Sequence, residues 1–132
     1  MSLFSQVQNR LMELKKHLGI ISYEMDIVAN VLRGPERNFL SNSKKIISGL
    51  MEDINFIVVS EDQDLNYLKT RLDSLYEGIE ELIKNINTSS RELRNISNER
   101  TKITSAVANL NAWLEHIKRL VEVIDEEISK AA

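Results

Sequence analysis

No cysteine occurs in this sequence, which excludes a disulfide framework and any thiolate metal site. A single proline, Pro35, leaves little to interrupt regular structure, and aromatics supply only 5% of the residues. The four glycines, at 19, 34, 49 and 78, stand apart, so no glycine-rich loop exists to cradle a phosphate. No apolar run approaches the roughly 18–20 residues that a membrane span needs. Nor does the chain open on a basic-then-apolar signal peptide, so a cytoplasmic location is expected. An excess of basic charge is also lacking. The net charge of −3 disfavours a protein that coats nucleic acid generally.

What the sequence has is apolar residues, 42% of the total, and that share is too high for a disordered tail. They recur at steps of three and four. Phe4, Val7, Leu11, Leu14, Leu18, Ile21, Met25, Val28 and Leu32 form a seam with both heptad positions apolar. It ends at Arg33-Gly34-Pro35, where glycine suits a helix stop and proline suits the first turn of the next helix. The spacing predicts a first helix over about 2–33, with Gly19 as a weak point of about 1 kcal/mol relative to Ala. A second helix over 35–59 carries Leu40, Ser43, Ile47, Leu50, Ile54 and Ile57 inward. Its β-branched end, Ile54 to Val59, also suits a strand, but no second strand candidate exists to pair with it. Ser60-Glu61-Asp62-Gln63 fits a capping box, and the heptad phase jumps there, so a third helix is expected from about residue 61.

From Leu65 to Ile128 the heptad phase does not slip, and Ser89 and Arg100 are the polar residues on that seam. Preserved phase favours one continuous helix over 61–129, roughly 100 Å long at about 1.5 Å per residue. A break near 87–90 is the competing reading, because Ser89-Ser90-Arg91-Glu92 also fits a capping box. That break would give an up-down-up-down bundle. The expected fold is therefore all-α, a single domain of long antiparallel helices in a bundle or coiled coil.

Two shorter helices can cover about half of a continuous third one. Its second half carries Val107, Leu110, Trp113, Leu114, Ile117, Leu120, Val121 and Ile124, a stripe too apolar to face water. Self-association through these residues, most simply as a homodimer, or a helical protein partner, is the expected remedy. Ser89 and Arg100 are read as polar seam residues that set pairing register.

The chemistry-bearing residues form no recognisable constellation. His17 and His116 have no second histidine one turn away and are expected to be solvated. Glu-x-x-His pairs, needed for a carboxylate-bridged di-iron bundle, are absent from the sequence. Regular heptads offer no strained nucleophile turn for a Ser-His-Asp triad. No enzyme activity, cofactor, metal or small-molecule substrate is therefore expected. Lys84, Arg91, Arg94 and Lys102 lie on an outer face with several asparagines and are weak anion-contact candidates. Glu92 and Glu99 dilute that face, so nucleic acid and lipid surfaces are alternatives. The leading expectation is a non-enzymatic helical scaffold or adaptor.

Overall fold

The computed structural model describes residues 2–32, 34–60, 64–89 and 97–131, with the side chains at 36, 97 and 98 left aside. These residues form four helices and no strand: α1 (Leu3–Val31), α2 (Pro35–Val59), α3 (Leu65–Ser89) and α4 (Ser97–Ala131). Neighbours in the chain are neighbours in space, and α4 also packs on α1, closing the ring. Each adjacent pair runs antiparallel. Lys15 Nζ donates to Asn55 Oδ1 at 2.8 Å, and Lys44 meets Asp26 at 2.6 Å. These two contacts link α1 to α2 in opposite directions. Lys69 at the start of α3 meets Asp125 near the end of α4 at 2.7 Å. The hydrogen bond and charge of Asp125 hold the Lys69 ammonium above its ordinary pKa range, so this surface contact stays charged through neutral pH.

Local chemistry explains most helix ends. Ser2 caps α1, its hydroxyl oxygen accepting from the Ser5 N–H at 3.1 Å. Leu32, at φ −91° and ψ 148°, ends it. Gly34 sits at φ 99° and ψ −162°, a region open essentially to glycine alone. Pro35 then opens α2 at the first helical position. The Ile54–Val59 segment is helical to its end. Ile54 and Ile57 face the core while Phe56 and Val59 face outward, a division that follows a helical period and not a strand's. The third helix begins at Leu65, later than the capping box at 60–63 suggests. Asp64 serves as its cap, the carboxylate accepting from the Asn66 N–H at 3.0 Å. Residues 61–63 of that box lie outside the described residues.

The continuous helix over 61–129 does not occur. α3 and α4 lie side by side, so the chain reverses between Ser89 and Ser97. The competing reading, an up-down-up-down bundle, is the one the structure adopts. The interval 90–96 is one heptad long, which is why the sequence keeps its phase across a reversal. Most of the expected break at 87–90 precedes that interval, and its residue 90 lies outside the described residues.

One apolar core runs through all four helices. It takes Leu11, Leu14 and Leu18 from α1, Leu40, Ile47 and Ile54 from α2, Leu72, Leu75 and Ile79 from α3, and Leu110 and Ile117 from α4. Gly78 allows α2 and α3 to approach closely, since a Cβ there would stand 2.5 Å from Leu50 Cδ2.

Candidate functional site

The stripe expected to meet a partner is inside the bundle. Leu110, Trp113, Leu114, Ile117 and Ile124 are buried, and Val107, Leu120 and Val121 are half-buried against the same core. α3 and α1 provide the cover that a second chain was expected to provide. Folding back halves the span of the long segment, so the first two helices are long enough to cover it.

Ser89 and Arg100 are not brought together on a seam. Ser89 is fully buried as the last residue of α3, its hydroxyl donating to the Asn85 carbonyl at 3.3 Å. Arg100 is exposed in the first turns of α4. The inward face of α4 begins at Ile103, and an unpaired guanidinium would be costly to desolvate there. The register role expected of Arg100 therefore has no structural basis.

A different polar group ties two helices together in the core. Asn85 of α3 donates from Nδ2 to the Phe39 carbonyl at 2.7 Å and to Ser43 Oγ at 2.8 Å. Ser43, fully buried, donates its own hydroxyl to the same carbonyl at 3.1 Å. Ser43 and Phe39 stay bonded within α2, so a one-residue slip of α2 against α3 would cost the Asn85 amide its two acceptors, and the cluster favours the observed register. The sequence carried half of this signal, because Ser43 interrupts an apolar seam. Asn85 flanks its seam and gave none. Asn85→Ala is expected to cost about 0.5–1.5 kcal/mol in urea unfolding, the net worth of a hydrogen bond whose removal leaves Ser43 and Phe39 bonded to each other. The double variant with Ser43→Ala should cost less than the two single costs added together. Single variants as stable as the parent would show that the cluster carries no energy.

His17 is the second residue whose surroundings were missed. Expected to be solvated, it is half-buried and accepts a hydrogen bond at Nδ1 from Trp113 Nε1, at 3.0 Å. The two rings meet edge to face at 5.5 Å, and the His116 ring also meets Trp113, at 5.2 Å. Beside this contact a hollow of about 130 Å³ opens between α1 and α4, lined by His17, Ile20, Ile21, Glu24, Ser105 and Asn109.

Among the described residues no group of three or more histidine or carboxylate side chains could hold a metal ion, and no helix is long and apolar enough to cross a membrane. Of the anion-contact candidates, Lys84 is exposed on α3 and Lys102 half-buried on α4. Arg91 and Arg94 lie outside the described residues. Large apolar side chains do reach the surface. Phe56 and Val59, 61% and 74% exposed, stand on the outer face of α2 around a shallow depression shared with Glu52 and Asn55.

The architecture defines an all-α, antiparallel four-helix bundle. No protein-family model, no curated protein and no solved structure matches the chain.

Proposed function

We propose that this chain is a non-enzymatic interaction protein, a four-helix unit that meets another helical surface through its outer face, a second copy of itself first among them. The observation that supports this reading is the exposure of Phe56 and Val59 next to each other at the end of α2. Adjacent large apolar side chains with polar neighbours are the usual composition of a contact site. Met12 of α1 is also exposed. It lies one turn from Gln8, whose Nε2 donates to the Val58 carbonyl at 2.8 Å. The patch is small, so the association is weak and reversible.

Sedimentation equilibrium from micromolar to millimolar concentration tests the proposal. The parent chain should associate reversibly, and the double variant Phe56→Glu, Val59→Glu should remain at 15.2 kDa with an unchanged melting temperature. A parent chain monomeric at every concentration would sink self-association. Salt-sensitive binding to nucleic acid, lost on charge reversal at Lys84 and Lys102, would favour a phosphate-binding role instead.

A further inference from the structure

The exposed residues of α2 step by three and four along one stripe, the spacing of a helix face that meets another helix. The first part of the stripe carries Asn38, Ser41 and the cation of Lys45. The last part carries the anion of Glu52, then Phe56 and Val59. Ser48 and Gly49 stand between the two parts, both exposed. Among the described residues neither Lys45 nor Glu52 makes an ion pair, whereas the adjacent Lys44 is engaged by Asp26. Gly49 lies inside the helix without a positive φ, and a Cβ there would meet nothing within 4 Å. An exposed glycine inside a helix weakens it relative to alanine, and packing within the chain gives no reason for this one.

We propose that two copies of the chain dock α2 against α2, antiparallel, about a two-fold axis that passes between Ser48 and Gly49. The proposal rests on the self-association reading above and adds its face, direction and register. Residues equally far from the axis face each other across such a contact. Lys45 precedes the axis by as many residues as Glu52 follows it, so each Lys45 faces the second copy's Glu52. In the same register Phe56 comes over Ser41 of the second copy and Val59 over its Asn38, a large side chain against a smaller one each time. Gly49 and Ser48 at the crossing let the two backbones approach closely.

Charge selects the occupant and its direction. The face is basic in one half and acidic in the other, so its complement is the same face reversed. A parallel pair would set Lys45 against Lys45 and Glu52 against Glu52. Area selects the register. The axis falls near the middle of α2, so the two stripes overlap from Asn38 to Val59, roughly 30 Å at about 1.5 Å per residue. A two-fold contact centred on Phe56 and Val59 would set apolar against apolar, but α2 ends at Val59. Only its last turns would then overlap, too short a contact to be specific.

The chain has no cysteine, so introduced thiols report the register without background. Ser48→Cys lies beside the axis and should link to its own copy under mild oxidation. Val59→Cys alone should not, because its two copies stand roughly 30 Å apart along the helix axes, and it controls for chance collision. Mixed with Asn38→Cys, it should cross-link. In sedimentation equilibrium at low salt, Lys45→Glu and Glu52→Lys should each weaken dimerisation about tenfold, since each sets like charges opposite at two places. The double variant should recover the parent Kd. Gly49→Gln should melt no lower than the parent, yet stay monomeric because its side chain fills the crossing. Circular dichroism checks that every variant is folded. A parent that stays monomeric at every concentration overturns self-association and this register together. The register alone is overturned if the parent associates but Ser48→Cys does not link, or if Val59→Cys links to itself as readily. It is equally overturned if both charge reversals leave the Kd unchanged, or if Gly49→Gln dimerises like the parent.

Discussion

Leu110→Asp is expected to abolish the folded state. Leu110 is fully buried among the four helices. A carboxylate there has no cationic partner and stays charged only at a desolvation cost of several kcal/mol. The lost apolar packing adds about 2–5 kcal/mol, the range for Leu→Ala in a core. Against a total stability of about 5–15 kcal/mol for an ordinary domain, the two together leave little or nothing. Circular dichroism should show loss of helix and of the cooperative melt at neutral pH. The same substitution on a partner-facing stripe would give a folded monomer. A helical, cooperatively melting Leu110→Asp chain would therefore return Leu110 to the surface and contradict the closed bundle.

Trp113→Ala is expected to cost about 3–5 kcal/mol, the usual loss for truncating a buried Trp. Its ring is buried and contacts the rings of both histidines. Most of the loss comes from the void left in a seam that is already loose. Urea unfolding should show the midpoint drop, and hydrogen exchange should rise first in α4 around residue 113 and in α1 near His17. A solvated tryptophan waiting for a partner would cost no more than about 0.5 kcal/mol when removed. An Ala variant that unfolds with the parent's midpoint would support that alternative.

The helices themselves were legible. α2 has the bounds 35–59 that its spacing predicts, and α1 ends within two residues of its expected limits. Seam residues such as Leu11, Leu18, Leu72 and Leu82 are buried as their spacing requires. Phase, caps and the Gly34-Pro35 corner are all local signals, and they agree. The polar contacts were less legible. Nothing in the spacing of Asn85 says that Phe39 and Ser43 will stand opposite it, and His17 and Trp113 are 96 positions apart. Such pairs exist only once helices have chosen neighbours.

The sequence alone determined that the chain is helical, that it has no room for a membrane-spanning helix, and which face of each helix must be covered. A heptad pattern specifies the face that avoids water because it reports only where apolar groups fall around one axis. It does not specify what covers that face. Tertiary structure alone decided that the stripe from Val107 to Ile124 is covered by the chain's own α1 and α3. It also decided that Arg100 stays in water and that His17 meets Trp113. The physical reason is the interval 90–96. Seven residues separate the end of α3 from the start of α4, which leaves the phase of the flanking helices unchanged, so a straight rod and a folded hairpin share one apolar pattern. The rod would leave the second half of that pattern bare, whereas the hairpin buries it within a single chain.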